Sequence, residues 1–163
     1  MTDEILKGSE AYIHQIGVVV KDLDKTVSFL TAIGLGPFII RNAKHPAATV
    51  RGKKESYEVR IAISQQGPLQ FELIEYVEGK TIHNDFLNTK GEGLHHIRFM
   101  VSDLDNVINE FTEMGIDVLQ EDRFENEGGI AYMDTGKTGG VIMEITQYPP
   151  DYDLEKGAEY KKI

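Results

Sequence analysis

The chain contains no cysteine among its 163 residues. Disulfide bonds and thiolate metal sites are therefore excluded. Basic residues are also scarce, since 17 Lys and Arg stand against 27 Asp and Glu, which gives a formal net charge of −10. Because the phosphates of nucleic acids need a basic surface, this charge argues against a nucleic-acid partner.

Long apolar segments are absent as well. No stretch approaches the length of a membrane span, and the N-terminal residues MTDEILKGSE lack the apolar core of a signal peptide. Hydrophobic content of 40% and charged content of 27% are ordinary for a globular protein. A chain of this length supports one core, or two small units that share one. We therefore expect a single-domain cytoplasmic protein without a membrane partner.

An internal repeat is the most informative pattern in the sequence. Residues 11–24 read YIHQIGVVVKDLDK, and residues 92–105 read EGLHHIRFMVSDLD. At one constant offset, His14 corresponds to His95 and the aspartates that follow also coincide. Such a repeat indicates two copies of one structural unit. Two histidines brought together across a pseudo-twofold axis would supply half of a metal site.

The last strand of each unit supplies the other half of this predicted site. Aligning residues 67–76, GPLQFELIEY, with residues 140–148, GVIMEITQY, places Glu72 opposite Glu144. Each glutamate interrupts an apolar strand, where an unpaired charge would be costly. Nitrogen and oxygen ligands of this kind suit a borderline divalent cation. The predicted metal ligands are His14, Glu72, His95 and Glu144.

Apolar periodicity gives each unit the order strand, helix and three strands. Strands are predicted at Ile16–Val20, Glu58–Ser64, Leu69–Glu75, Ile97–Val101, Ile116–Leu119, Ile130–Asp134 and Val141–Gln147. Helices are predicted at Leu23–Ile33, with Asp22 or Asp24 as the cap, and at Leu104–Met114. A third helix over residues 81–90 joins the two units. The stretch Asn42–Gly52 is predicted to be irregular or edge structure.

The remaining histidines and the basic residues leave alternatives open. His96 is the main alternative to His95, but it alternates onto the opposite strand face and corresponds to Gln15, a poorer ligand. His45 and His83 have no evident partners and are predicted to face solvent. A basic stretch forms either an anion-binding rim or a solvated loop. Its members are Arg41, Lys44, Arg51, Lys53, Lys54 and Arg60.

Several segments resemble the vicinal oxygen chelate superfamily, which includes glyoxalase I, methylmalonyl-CoA epimerase, extradiol dioxygenases and bleomycin-resistance proteins. They are IHQIGVVVKDLDKTVSFL, FELIEY, FLNTKGEGLHHIRFMVSDLD and GGVIMEITQYPP. The similarity covers about residues 11–148 and is greatest to the epimerases. It implies an α+β fold in which two tandem βαβββ modules form an incomplete barrel around a divalent metal such as Co, Mn, Ni or Zn. By position, the family's ligands fall on His14, Glu72, His95 and Glu144.

The resemblance also predicts the boundaries of the modules, and the sequence differs from the epimerase pattern at two places. Module one is expected at about 11–77, the linker helix at about 81–90, module two at about 92–148, and a C-terminal tail at 149–163. Epimerases generally have glutamine where Glu72 stands, and a glutamate there is closer to glyoxalase I. Their Glu-Gln pair ahead of the second strand, which carries a base, is replaced by Ser56–Tyr57, with Glu55 and Glu58 on either side.

The resemblance implies a metal-dependent epimerase or isomerase that removes a proton next to a metal-bound carbonyl. The expected substrate is an anionic acyl thioester such as methylmalonyl-CoA, and a homodimer is compatible with it. Glu144 is the preferred base, with Glu72 as a second catalytic carboxylate. The alternatives are a glyoxalase I-type lyase, similar to lactoylglutathione lyase, or a metal-binding member with another substrate. A ligand-binding or resistance protein is disfavoured, because such members usually lack the metal ligands.

Overall fold

The computed structural model describes residues 5–8, 11–125, 127–137 and 139–150. In chain order its elements are α1 (Ile5–Gly8), β1 (Tyr12–Val20), α2 (Leu23–Ala32), β2 (Ile39–Val50), β3 (Lys53–Gln66), β4 (Leu69–Gly79), α3 (Ile82–Lys90), β5 (Gly93–Met100), α4 (Leu104–Glu113), β6 (Val118–Arg123), β7 (Gly129–Met133), a 3-10 turn (Thr135–Lys137) and β8 (Ile142–Gln147). No helix among these residues is long and apolar enough to cross a membrane. The tail predicted at 149–163 lies outside the described residues from position 151 onward.

The eight strands form one mixed sheet in the order β1-β4-β3-β2-β6-β7-β8-β5. In each half the first strand runs parallel to the last, β1 beside β4 and β5 beside β8, and the other pairs within a half are antiparallel. This is the predicted α+β architecture with two βαβββ-like modules. The expectation of an incomplete barrel is corrected, because the bridges Thr49–Glu121 and Val50–Gln120 join β2 to β6 and close the sheet.

The three longer helices begin and end where the sequence predicts, to within one residue. Asp22 caps α2 and Asp103 caps α4, each accepting a hydrogen bond from the backbone amide three residues further on, at 2.9 and 3.0 Å. Thr81 caps α3, which ends before Gly91 at a φ of 82°. Caps of this kind satisfy amides that the first turn of a helix leaves unpaired. The repeat therefore preserves the helix starts in both modules.

The predicted irregular stretch Asn42–Gly52 is instead largely part of the long strand β2. The strand pairs with β3 over most of its length, and a register shift lies between His45 and Ala48. Pro46 falls inside this shift. Proline cannot donate to a sheet ladder, so a bulge is the place where a strand tolerates it. The proline therefore marks a local irregularity within the strand.

Apolar residues divide between the barrel interior and the helix-covered outside. One buried cluster draws members from β1, β2, β3, β4, β6 and β7, including Val19, Val59, Ile61, Ile74 and Tyr132. Because these strands lie all around the barrel, this cluster fills its interior. Outside, Leu23 of α2 and Leu104 of α4 are fully buried and pack on strand residues. Polar side chains inside the barrel are therefore surrounded mainly by apolar residues.

Gly17 makes room for one of these interior polar groups. It pairs with His96 across β1 and β5. A Cβ atom placed at Gly17 would lie 2.0 Å from Cε1 and 2.3 Å from Nε2 of the His96 ring. The imidazole therefore lies directly over the backbone of β1, and any side chain at this position would displace it.

Replacing Gly17 by alanine should destabilise the protein by about 1–3 kcal/mol, because the added methyl group overlaps the imidazole of His96. Gly136→Ala is the matched control, because a Cβ atom there meets nothing closer than 3.6 Å. Urea unfolding at neutral pH measures both variants. Equal stability of the two variants would show that the His96 ring does not depend on the space above Gly17.

Candidate metal centre and cavity

Four neighbouring strands, β4, β1, β5 and β8, carry most of the buried polar residues. Across the β1–β5 pair, Gln15 lies opposite Arg98 and Gly17 lies opposite His96, so the pairing is symmetric about its middle. On the flanking strands, Glu72 lies beside Gly17 and Glu144 beside Arg98. The two modules therefore meet at this seam, and each contributes one glutamate to it.

The side chains at this seam converge on one nitrogen atom. Nε2 of His96 lies 2.8 Å from Oε2 of Glu144, 3.5 Å from Oε2 of Glu72 and 3.4 Å from Oε1 of Gln15. All four residues are buried. Ligand atoms of Glu72, His96 and Glu144 all lie within 4.8 Å of one another. The cluster is thus compact enough for its members to share one cation.

The two carboxylate oxygens of Glu144 have different surroundings. Oε1 accepts hydrogen bonds from Nε of Arg98 at 2.5 Å and from the hydroxyl of Thr146 at 2.9 Å. Oε2 is buried and makes no hydrogen bond with the described residues, although Nε2 of His96 is close. Ligand atoms about 2.1 Å from a shared divalent cation are separated by about 3.0–3.4 Å, similar to the spacing here. The buried His and Glu groups are therefore consistent with a metal site.

The structure brings the two predicted glutamates together around His96 and not around His95. The β1–β5 register shifts between Gly17 and Val18, so His95 has no direct partner in the pairing and the alternation of strand faces is interrupted beside His96. Nδ1 of His95 lies 3.0 Å from Nδ1 of His96, and the ring of His95 packs 4.7 Å from that of His83. His95 therefore packs against both His96 and His83, outside the compact group of Glu72, His96 and Glu144.

The other predicted ligand, His14, lies at an irregularity of β1. The register with β5 shifts between Ile13 and Gln15, so His14 has no direct partner in the pairing. Its side chain is buried, and its Nδ1 atom makes no hydrogen bond with the described residues. Burial and the nearby charge of Arg98 lower the pKa of His14. His14 is thus close enough to feel the charged cluster without joining its compact group of ligand atoms.

A group of three histidines lies next to the His–Glu cluster. Ligand atoms of His83, His95 and His96 lie within 4.8 Å of one another. The prediction that His83 faces solvent is wrong, because only 2% of it is exposed and Thr81 bonds its Nδ1 atom at 2.9 Å. Burial lowers the pKa of His83 to about 3 and holds the pKa of His95 well below its ordinary value. Both rings are therefore neutral at physiological pH.

The charged members of the seam stabilise one another. Burial disfavours the charged form of His96, but the carboxylates outweigh this effect and raise its pKa to about 9. Burial pushes the pKa of Glu144 upward, but Arg98 and His96 hold it well below its ordinary value. Burial likewise opposes the charge of Arg98, and Glu144 raises its pKa well above the usual range. Without a metal, the buried cations and anions balance.

Arg98 is the functional residue that the sequence analysis missed. It is buried, and its Nη1 atom also donates to the hydroxyl of Tyr148 at 3.1 Å. Two signals could have identified it. Arg98 interrupts an apolar strand two residues after His96, on the same strand face, and the repeat offset aligns it with Gly17. A charge replaces a glycine at equivalent positions of the two modules.

A cavity of about 380 Å³ opens beside the cluster. Its polar lining includes Arg41, His45, Tyr57, Glu72, Arg98, Asp122, Tyr132 and Tyr148, and its apolar lining includes Val59, Ile61, Ile74 and Ile130. Glu72 faces this cavity, whereas Glu144 is not among the lining residues. Of the six basic residues predicted as an anion-binding rim, only Arg41 lines the cavity. Arg60, for example, is bound to Asp24 and Glu75 at 2.9 Å each.

Replacing Arg98 by alanine should cost about 3–5 kcal/mol of stability, because it leaves Glu144 as an unpaired buried charge. Arg123→Ala is the control, with an expected cost below about 1 kcal/mol, because exposed ion pairs contribute little. Arg123 bonds Glu121 and Asp105, and 43% of its side chain is exposed. Denaturant unfolding compares the two, and equal losses would contradict the account of the buried pair.

Acid unfolding gives a second test of the same pair. Because the pKa of Glu144 is depressed in the folded state, its stabilising contribution is complete above the ordinary carboxyl range. The contribution decreases as the pH falls below that range toward the depressed pKa. We expect Arg98→Ala to reduce the loss of unfolding free energy that accompanies this fall in pH. An unchanged dependence on pH would exclude Arg98 as its main cause.

Sequence comparison identifies relatives over most of the chain. The profile of the Glyoxalase/Bleomycin resistance protein/Dioxygenase superfamily matches residues 14–133. The uncharacterized protein YqjC of Bacillus subtilis (strain 168) is 30% identical over 137 residues, which cover 77% of this chain and 96% of YqjC. Both matches span the two modules.

Solved structures share the fold at lower identity. Hypothetical protein BH1468 from Bacillus halodurans C-125 has a TM-score of 0.63 at 18% identity, covering 88% of this chain and 98% of its own. Methylmalonyl-CoA epimerase from Mycobacterium tuberculosis has a TM-score of 0.60 at 20% identity, covering 85% and 88%. A variant of Streptomyces coelicolor methylmalonyl-CoA epimerase in complex with 2-nitronate-propionyl-CoA has a TM-score of 0.62 at 23% identity, covering 83% and 95%. The profile match and the shared fold show that this chain belongs to the glyoxalase/bleomycin resistance protein/dioxygenase superfamily, which confirms the resemblance seen in the sequence.

Proposed function

We propose that this protein is a divalent-metal-dependent epimerase or isomerase that moves a proton next to the carbonyl of an acyl thioester such as methylmalonyl-CoA. The observation that carries this proposal is the position of Glu72. Its carboxylate belongs to the buried His–Glu cluster and also faces the cavity. A general base needs this access to its substrate. The fold shared with methylmalonyl-CoA epimerases supports the reaction class.

The cation would be held by Glu72, His96 and Glu144, with Gln15 as a fourth ligand. A divalent cation supplies Lewis acidity, which polarises a carbonyl oxygen and favours loss of the adjacent proton. The surrounding residues suit this assignment, because Arg98 and Thr146 fix one oxygen of Glu144 and leave the other facing Nε2 of His96. Such supporting bonds orient metal ligands. The assignment with His14 and His95 as ligands remains the competing proposal.

Glu72 is a better candidate for the base than Glu144. Arg98 holds the pKa of Glu144 low against the effect of burial, so this carboxylate accepts a proton poorly. Glu144 also lies behind the cavity wall. Of the two glutamates that the sequence offered as a second base, Glu58 pairs with Lys44 at 3.2 Å, and neither Glu55 nor Glu58 lines the cavity. The acid–base chemistry therefore centres on Glu72 among the carboxylates of the repeat.

The cavity suits an anionic ligand with an apolar body. Arg41 lines it, and the buried Nε atom of Arg41 makes no hydrogen bond with the described residues. A buried guanidinium donor without a partner favours an incoming carboxylate. The valine and isoleucine side chains of the opposite lining would contact the hydrocarbon part. This arrangement supports an acyl group that carries a second carboxylate.

A glyoxalase I-type lyase is the second candidate function. A carboxylate at position 72 favours it, because the sequence there follows the glyoxalase I pattern. Both reactions use proton removal beside a carbonyl, so the same cluster would serve either. The two functions differ in substrate, since the lyase acts on the adduct of a thiol with an aldehyde.

Metal binding distinguishes the two proposed ligand sets. Titrating the metal-free protein with Co²⁺ should show one site, and His96→Ala should abolish it. His95→Ala should weaken binding about 10–100-fold, the usual effect of losing a group that orients a ligand. His14→Ala should have little effect. Abolished binding in the His14 and His95 variants, with binding retained in His96→Ala, would instead support the ligand set predicted from the sequence.

Deuterium exchange tests the proposed reaction. The metal-loaded protein should incorporate deuterium at the α carbon of methylmalonyl-CoA in deuterated buffer, and Glu72→Gln should slow this at least about 100-fold. Glu144→Gln is the comparison, and the metal content of both variants is measured in the same samples. Exchange that survives Glu72→Gln would exclude Glu72 as the base. Turnover of a methylglyoxal–thiol adduct without any exchange on the thioester would support the lyase.

A further inference from the structure

We propose that His45, held by Asp122, is the second proton-transferring group of this protein and faces the Glu72 cluster from the other side of the cavity. This inference rests on the proposed function, because inversion at a carbon requires a proton to leave on one face and return on the other. Ser56–Tyr57 replaces the Glu-Gln pair of epimerases, and the two neighbouring glutamates, Glu55 and Glu58, do not line the cavity. The structure places another acid–base pair beside Tyr57.

The barrel has two seams between its modules. The β1–β5 seam holds the His–Glu cluster, and the β2–β6 seam holds His45 on β2 and Asp122 on β6. In the strand order these seams lie half the barrel apart, so they face each other across its interior. Both His45 and Asp122 line the cavity that Glu72 also faces. A ligand in the cavity would therefore lie between the two groups.

Contacts with two neighbouring strands, β3 and β6, fix the orientation of His45. Its Nδ1 atom lies 3.0 Å from Oδ2 of Asp122, and its ring stacks on Tyr57 with a centroid distance of 4.3 Å and an interplanar angle of 8°. The hydroxyl of Tyr57 donates to the same oxygen of Asp122 at 2.9 Å. Burial and the negative charge of Asp122 raise the pKa of Tyr57, so this tyrosine stays protonated as a donor.

This geometry leaves one nitrogen of His45 for chemistry. Because Nδ1 faces Oδ2 of Asp122 at 3.0 Å, Nε2 is the nitrogen left to carry either a lone pair or the second proton of the imidazolium. Among the described residues, no hydrogen-bond partner is found for Nε2. A histidine whose one nitrogen is anchored by a carboxylate and whose other nitrogen is free has the arrangement of a general acid–base. The side chain remains 26% exposed, so protons exchange with solvent.

Glu72 and His45 together account for both proton transfers, one removal and one return. Glu72 takes the α proton, and the electron pair of the broken C–H bond moves toward the carbonyl oxygen. As the pair returns to carbon, Nε2–H of the His45 imidazolium gives its proton to the opposite face. Glu72 then holds one proton and His45 is neutral, which is the starting state for the reverse direction. Exchange with water restores the original state.

The test separates exchange from inversion. Each epimer of methylmalonyl-CoA is incubated with the metal-loaded protein in deuterated buffer, and NMR follows α-deuteration while chiral analysis follows inversion. The wild type should deuterate and interconvert both epimers. His45→Gln should lower inversion at least about 100-fold and still deuterate the one epimer whose proton faces Glu72. Lys44→Gln is the control, since this neighbour is 76% exposed and pairs with Glu58 outside the cavity, and it should match the wild type.

Asp122→Asn provides a second variant of nearly the same shape. It keeps His45 in place but removes the charge that supports the imidazolium, so inversion should fall while one-sided exchange continues. Inversion at the wild-type rate in His45→Gln would overturn the inference and leave the proposed function standing. Equal loss of exchange for both epimers in that variant would also overturn it, because it indicates a general structural role. A wild type that exchanges neither epimer would overturn both the inference and the proposed function.

Discussion

The buried ion pair between Arg98 and Glu144 is the interaction on which the candidate site depends. Both groups lie inside an apolar barrel, where either charge alone would be strongly unfavourable. Their pairing holds one oxygen of Glu144 and leaves the other beside His96. The same pairing holds the pKa of Glu144 well below its ordinary value against the effect of burial. The two repeat-related glutamates thus have different surroundings, and Glu72 is the one that faces the cavity.

The two modules contribute different side chains to the β1–β5 seam because their sequences differ at two aligned positions. Gln15 aligns with His96, and Gly17 aligns with Arg98. The glycine leaves the space that the imidazole occupies, and the arginine supplies the charge that fixes the second glutamate. The seam at β1–β5 therefore combines a symmetric backbone with unlike side chains. The opposite seam is joined by only two residue bridges, and there His45 and Asp122 connect the modules through side chains.

Local signals allowed much of this structure to be predicted. Of the two caps that the sequence offered for α2, Asp22 is the one used, and its repeat equivalent Asp103 caps α4. Glu72 and Glu144, which the alternation of apolar residues placed on equivalent strand faces, lie in one interior cluster. The choice between His95 and His96 could not be settled this way. Register shifts beside His14 and beside His95 interrupt the alternation of strand faces, so the position of a residue in the repeat does not fix where its side chain points.

Other features depend on distant partners and leave no local signal. The strand β2 reads as irregular because of Pro46, but pairing with β3 stabilises it on either side of the bulge. His83 is buried against His95 and Tyr132, and His45 meets Asp122 only because the sheet closes. Tertiary contacts decided these positions, and nothing in the neighbouring sequence of either histidine reports them.

A crystal structure of the Co²⁺-loaded protein, with anomalous scattering measured at the cobalt edge, tests the central claim most directly. The account predicts one strong peak at about 2.1 Å from Nε2 of His96, with carboxylate oxygens of Glu72 and Glu144 as further ligands. The oxygen of Gln15 should face the same ion, and Arg98 should remain bound to Oε1 of Glu144. A peak coordinated by His14 and His95, or the absence of cobalt from the β1–β5 seam, would contradict it.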